Sequence, residues 1–343
     1  MTAKHTALFL QRPGTPRMNL SELVNISVSG QIAHPEDKPS PYRIGTDGVP
    51  RILPGTGGIV LSHRVGDRCV GLAGDHVEPA VSIKNQHRSL KGEKDAFNLA
   101  LNTYSCIGNT AVVLTGDQKG KKGVVTGKHG GIKNVLIDFP RQIMQRLKIG
   151  DQIQINAYGT GLRLIDHPHV SVFNCAPKLI QQWGIRFLNH AIQVPVTHLI
   201  PAALMGSGLG RNNAVRGDYD IQMNNPELNQ RLGLNNLRFG DFVAIIDADT
   251  RYGRSYHQGV ITVGIVVHSD STVSGHGPGV VTLLSGDARY LRPIKDRAAN
   301  LAVVFRLREL PPPRSYQTHL QKSAPSILKT QLKIRQQKSH TAI

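Results

Sequence analysis

The stretch Val266-Val267-His268-Ser269-Asp270-Ser271-Thr272-Val273-Ser274-Gly275-His276-Gly277-Pro278-Gly279 runs from an apolar strand into a glycine-rich turn that holds two histidines and an aspartate. Imidazole nitrogens and carboxylate oxygens together suit a divalent metal ion. His268 and Asp270 are two apart, so on a strand they face the same way, and His276 can return from the turn to the same point. Gly275, Gly277 and Gly279 leave the backbone open to a ligand. The alternative is that Asp270 and the serines cap turns while the histidines bond to backbone.

Two further clusters offer similar chemistry. In Ala244-Ile245-Ile246-Asp247-Ala248-Asp249-Thr250-Arg251-Tyr252-Gly253-Arg254 the end of an apolar strand delivers Asp247 and Asp249 on one face. Such a pair can hold a hard cation or share a proton. Arg251 and Arg254 can clamp an anionic substrate group, or simply neutralise the two aspartates. Gly74-Asp75-His76-Val77-Glu78-Pro79 sets His76 and Glu78 on one face, as metal ligands or as a salt-bridged surface loop.

The Met205-Gly206-Ser207-Gly208-Leu209-Gly210-Arg211 loop can present backbone amides to an anion through Gly206, Gly208 and Gly210, although it lacks the lysine of a nucleotide-binding loop. Asp218-Tyr219-Asp220 adds a carboxylate pair that reads more readily as turn formers than as ligands, and His129 and His198 read as structural. No Gly-x-Ser-x-Gly elbow is present, so covalent nucleophilic catalysis lacks support.

The elements that must position these residues are short strands and turns. Glycine, at 35 residues, and proline, at 20, favour them over long helices. Strand signals fall in 19–29, 58–62 and 77–83, and three apolar runs between 111 and 139 are parted by glycine turns, as in a small meander or barrel. Short helices are expected at 96–101, 140–147 and 176–184. The motif apolar-Gly-Asp recurs at Val65-Gly66-Asp67, Ile149-Gly150-Asp151 and Phe239-Gly240-Asp241, where each aspartate is expected to shape a turn rather than catalyse. The expected fold is α+β and β-rich, with two to three small barrel-like or sandwich units and few short helices. Its parts are an N-terminal extension over 1–18, disordered or lying upstream of a true start at Met18, and a β-rich part over 19–104. A barrel-like part over 105–175, an α+β part with the candidate site over 176–308 and a disordered basic tail over 309–343 complete it.

The formal net charge is +18, of which the two terminal segments supply eight, so the basic character is too diluted over the rest to demand a polyanion. Lys119, Lys121 and Lys122 in a glycine hairpin resemble the turns of RNA-binding barrels over about thirty residues, and equally suit a soluble exposed edge. A small-molecule substrate is therefore preferred to nucleic acid, which is kept as the competing partner; homo-oligomerisation stays open. Cys69, Cys106 and Cys175 form no Cys-x-x-Cys pair and are expected to be buried free thiols. No apolar run reaches membrane-span length and no signal-peptide core is evident, so no membrane partner is expected and a cytoplasmic location is the default expectation.

Several motifs occur together and in order, among them Gly48-Val49-Pro50-Arg51-Ile52-Leu53-Pro54-Gly55-Thr56-Gly57-Gly58, Gly74-Asp75-His76-Val77-Glu78-Pro79 and Gly127-Lys128-His129-Gly130-Gly131. With Pro195-Val196-Thr197-His198, the 205–210 loop, the 247–255 segment and the 268–279 segment, they resemble domain-of-unknown-function family 4438 from about residue 19 to 308. That resemblance brings no activity with it. A fainter likeness links the 201–220 and 268–279 segments to the acetamidase and formamidase family, which is β-rich and hydrolyses small amides with metal help, although Gly277-Pro278-Gly279 departs from that family's Gly-Asp-Gly. The expected function is metal-dependent hydrolysis of a small polar, amide-like substrate. The cofactor is a divalent ion of unspecified identity, with ligands drawn from His76, Glu78, Asp247, Asp249, His268, Asp270 and His276. RNA or nucleotide binding without catalysis is the alternative.

Overall fold

The computed structural model describes residues 16–37, 42–87, 95–131 and 133–310. In Gln152–Ala157, buried Ile153, Ile155 and Ala157 alternate with wetter Gln152, Gln154 and Asn156, the period-two pattern of a strand with one face in a core. This strand pairs antiparallel with Ile26–Ile32 on one side and Thr110–Val113 on the other. From Thr110–Val113 the ladder continues through Lys122–His129 and Asn134–Asp138 to Ala80–Lys84. Ala80–Lys84 pairs back onto Ile26–Ile32 and closes a six-stranded barrel, and the short strand Ile59–Val60 adds to Ala80–Lys84 beside it.

A second sheet runs in the order Val170–Val172, Gly279–Asp287, Ser255–Val266, Phe242–Asp249, His198–Pro201, and the short strand Tyr219–Asp220 pairs with the start of Gly279–Asp287. Phe242-Val243-Ala244-Ile245 is apolar on both faces because both are covered. Phe242 and Ala244 join the core shared with the barrel, whereas Val243 and Ile245 join a second cluster with Leu234, Leu237 and Phe239. A three-stranded sheet of Arg186–Phe187, Ile192–Val196 and Leu291–Lys295 and a two-stranded one of Arg43–Ile44 and Pro50–Arg51 complete the sheets of the described residues.

The five α-helices among the described residues are short, the longest of them being Ala96–Tyr104, and the expected β-rich α+β class is what the chain adopts. The repeated Gly-Asp pairs have a common geometry. Gly66, Gly150 and Gly240 all have φ between +82° and +98°, and each following aspartate accepts a hydrogen bond from the amide three residues earlier, Arg64, Lys148 and Arg238 respectively. These aspartates are turn formers, as their sequence context indicates.

The parts expected over 19–104 and 105–175 are not separate units, because the barrel draws strands from both and its hydrogen bonds close only when they combine. The boundaries at 18 and 308 also move outward. Met18 bridges to Leu164 and Arg17 pairs with Asp166, while Arg308 pairs with Asp67 and Leu310 packs against the core. The expectations for residues 1–15 and 311–343 lie outside the described residues. The three cysteines are buried free thiols.

Candidate metal centre

The barrel and the second sheet meet along a short backbone zipper. The Ser269 amide donates to the Val77 carbonyl at 3.0 Å, the Asp270 amide to the Cys69 carbonyl at 3.0 Å, and the His76 amide to the Asp270 carbonyl at 3.2 Å. At this seam the barrel side supplies His76 and Glu78 from the loop before Ala80–Lys84, and His129 from the last position of Lys122–His129. The sheet side supplies Asp218 and Asp220 around the Tyr219–Asp220 strand, His268 just past Ser255–Val266, and His276 from the turn before Gly279.

Six of these side chains form two sets of three whose ligand atoms lie within 4.8 Å of one another: His76, Asp220 and His276, and His129, Asp218 and His268. In the first, His76 Nε2 is 3.0 Å from His276 Nδ1 and 3.6 Å from Asp220 Oδ2, which is 3.0 Å from His276 Nδ1. In the second, His268 Nε2 lies 2.7 Å from Asp218 Oδ2. Asp220 belongs to both, because its other oxygen, Oδ1, is 3.6 Å from His268 Nε2. The imidazole rings are close, with centroids 4.4 Å apart for His129 and His268 and 5.0 Å apart for His76 and His268.

The outer nitrogens of three of these histidines are already committed. His76 Nδ1 faces Asp75 Oδ1 at 3.0 Å, His129 Nδ1 faces Glu78 Oε1 at 2.7 Å, and His268 Nδ1 faces the Ser269 carbonyl at 2.8 Å. Each partner is an acceptor, so each Nδ1 carries a proton, and in the neutral ring Nε2 then holds the inward lone pair, the tautomer that metal-bound histidines adopt. Asp75 is anchored in turn by Arg43 at 2.5 Å. Glu78 is fully buried and accepts from the Gly57 amide, the Ser82 hydroxyl and the Asn134 amide as well.

The charges require a partner. Asp75, Glu78, Asp218 and Asp220 are all buried, and among the described residues Arg43, on Asp75, is the one arginine or lysine in an ion pair with them. Burying uncompensated charge costs several kcal/mol per ion, so protons or metal cations must neutralise the rest. Burial alone would lower the His268 pKa, but the charges of Asp218 and Asp220 outweigh it and raise it well above the usual imidazole value. Burial raises the Asp220 carboxyl, but hydrogen bonds from His268, His276 and His76 outweigh it and hold it far below the ordinary range.

Two further features distinguish the second set. His268 Nε2 and Asp218 Oδ2 are buried and lack a hydrogen-bond partner of acceptable geometry, although they stand 2.7 Å apart. Gly279 lies against both: a Cβ at this position would fall 2.0 Å from Asp218 Oδ2 and 2.2 Å from His268 Nε2, so the two atoms border a cradle that any side chain would fill. Four imidazoles and two carboxylates, all but His276 buried, are a donor set suited to zinc and similar first-row divalent ions.

Of the residues singled out in the sequence, the structure brings together His76, His268 and His276 as inward-facing groups, with Glu78 behind His129. It does not bring Asp247, Asp249 or Asp270 into the cluster. Asp270 turns its carboxylate to the Gly71 amide at 2.8 Å, and burial raises its pKa to about 6. Asp247 sits at a bulge with φ +63° and accepts from the Gly259 amide. Asp249 is held by Arg251, at 2.7 Å, which engages Arg251 as well.

Arg254 is buried behind the Tyr219–Asp220 strand, stacked at 4.9 Å on the Tyr219 ring, and donates to the carbonyls of Asp218 and Gly217. The glycine loop braces the same strand: the Gly206 amide donates to the Asp220 carbonyl, the Gly208 carbonyl accepts from Arg254, and the Gly210 amide donates to the Arg254 carbonyl. These residues hold Asp218 and Asp220 from behind instead of facing a substrate. His198 bonds to Thr197 and to the Gly233 carbonyl, away from the cluster. His129, Asp218 and Asp220 are the members that sequence reasoning set aside. The available signal was the Asp-x-Asp alternation, which puts both carboxylates on one face of a strand.

Two family models, described as domain of unknown function (DUF4438), N-terminal and C-terminal, match residues 42–181 and 182–305. A crystal structure of TM1086 is 44% identical with a TM-score of 0.79, and the match covers 84% of this chain and 99% of that one. No curated protein matches. None of these findings bears on the likeness to acetamidases.

Proposed function

This chain belongs to the DUF4438 family, and from the paired histidine–aspartate sets at its barrel–sheet seam we propose that it is a metal-dependent hydrolase of small polar, amide-like substrates, whose two sets would hold divalent ions. The observation that carries this reading is the convergence of His268 Nε2 and Asp218 Oδ2, buried and 2.7 Å apart, on the position that a Cβ at Gly279 would fill. Divalent ions in such a centre activate water and polarise a carbonyl. His76 Nε2, His276 Nδ1 and Asp220 Oδ2 would hold one ion, and His129, His268 Nε2, Asp218 and Asp220 Oδ1 the other.

The chain's own groups divide the remaining work. Asp75 and Glu78 keep His76 and His129 in the donor tautomer, and the Ser269 carbonyl does the same for His268. Arg254 fixes the strand that presents both aspartates. His276 is the one half-exposed member, so a substrate reaches the centre from its side. The test is a screen of small amides and esters with zinc- or manganese-loaded protein. Hydrolysis that stops on chelation and is absent in His268→Ala supports the proposal; hydrolysis that persists unchanged in both would sink it.

A further inference from the structure

Beside the centre lies a cleft of about 420 Å3 whose lining includes Lys133, Arg211, Arg216, Asn212 and Asn213 and no carboxylate. Lys133 is engaged by Asp95 at 2.9 Å. The two arginines are different. Several arginines among the described residues pair with an acid, as Arg43 does with Asp75 and Arg64 with Asp138, whereas neither Arg211 nor Arg216 has a carboxylate within 4.0 Å among the described residues. Arg216 Nε is also buried with no hydrogen-bond partner. Two guanidinium groups without acids in one concave site are what a planar or tetrahedral oxyanion recognises, through paired N–H donors.

The cleft adjoins the metal centre through two glycines in its wall. Gly130 follows His129, and Gly217 precedes Asp218, so each is one residue from a ligand. They touch directly: a Cβ on Gly217 would fall 2.2 Å from Gly130 Cα. A Cβ on Gly130 would fall 3.0 Å from Asp218 Oδ1 and 3.2 Å from Arg211 Nη1, so the guanidinium and the ligand carboxylate both reach over the same bare backbone. An anion held by Arg211 therefore sits about one residue's width from the centre.

We infer that this cleft binds an oxyanionic group, carboxylate or phosphate, carried by the substrate whose other end reaches the metal centre. The inference rests on the proposed hydrolase reading for what happens at the centre, but the anion site itself stands on Arg211 and Arg216. Binding energy from such a remote group orients the bond to be broken.

The test is calorimetric titration of the full-length protein with inorganic phosphate and, separately, malonate, before and after chelation, in wild type and in Arg211→Gln/Arg216→Gln, with metal content measured on each sample. The expected result is that at least one probe binds, that binding survives chelation, and that it weakens at least tenfold in the double variant. Which probe binds tells phosphate from carboxylate. Arg211→Gln alone, at an exposed position, gives the same reading with a smaller loss if the double variant does not fold. Absence of binding by both probes, or affinity unchanged in the variants, would overturn the inference. Binding lost on chelation but untouched in the variants would put the anion on the metal, ending this inference while leaving the metal reading intact. Protein that is metal-free as purified, takes up no added zinc or manganese and still binds through the arginines would do the reverse.

Discussion

Replacing Glu78 by glutamine removes one charge and almost no volume, yet it should disable half of the metal centre. Oε2 of Glu78 accepts from three donors, the Gly57 amide, the Ser82 hydroxyl and the Asn134 amide, and Oε1 accepts from His129 Nδ1. A glutamine carbonyl can satisfy the first three only by turning its NH2 toward His129. That NH2 donates, so His129 must move its proton to Nε2, where it occupies the lone pair meant for the ion. Loss of such an outer partner typically weakens metal binding ten- to hundredfold, about 1.4–2.7 kcal/mol. Exchanging charge-assisted hydrogen bonds in a buried site costs the fold a further ~1–3 kcal/mol. Zinc titration by calorimetry should show one weakened site and one near wild type, because His76, His276 and Asp220 do not touch Glu78. Two sites of unaltered affinity in Glu78→Gln would refute the tautomer argument.

Other outcomes follow from the same geometry. Gly279→Ala should fold but lose metal, measured by elemental analysis, because its methyl group would fall 2.0 Å from Asp218 Oδ2. Arg254→Leu orphans the carbonyls of Gly217 and Asp218 and should cost about 3 kcal/mol in denaturant unfolding. His198, whose pKa burial lowers to about 4, remains neutral where the unfolded chain takes up a proton. Its contribution is thus intact above pH 6.5 and lost as pH falls toward 4, by up to about 3 kcal/mol, and His198→Gln should flatten that part of the stability profile. Chelation should lower the thermal midpoint of wild type and leave that of Gly279→Ala unchanged.

Much of the fold was legible locally. The Gly-Asp turns follow from residue chemistry, and the expected helices near 96–101 and 176–184 appear at Ala96–Tyr104 and Pro177–Gln182. Barrel closure was not legible, because Ile26–Ile32 finds partners at Ala80–Lys84 and Gln152–Ala157, separations that no local pattern encodes. The centre shows the same limit. Asp247-Ala248-Asp249 and Asp218-Tyr219-Asp220 share one alternation. What separates them is tertiary: a bulge and Arg251 take the first pair, and the strand against Gly279 delivers the second to the histidines. Asp270 failed for a related reason, since the zipper to Cys69 and His76 uses its backbone and turns its carboxylate toward Gly71.

Elemental analysis by mass spectrometry of the full-length protein, purified without chelator, tests the central claim most directly. Two sets of ligands sharing Asp220 predict about two divalent ions per chain, lost together in Asp220→Ala. A folded protein that carries no ion, and takes up none when zinc or manganese is added, would contradict it.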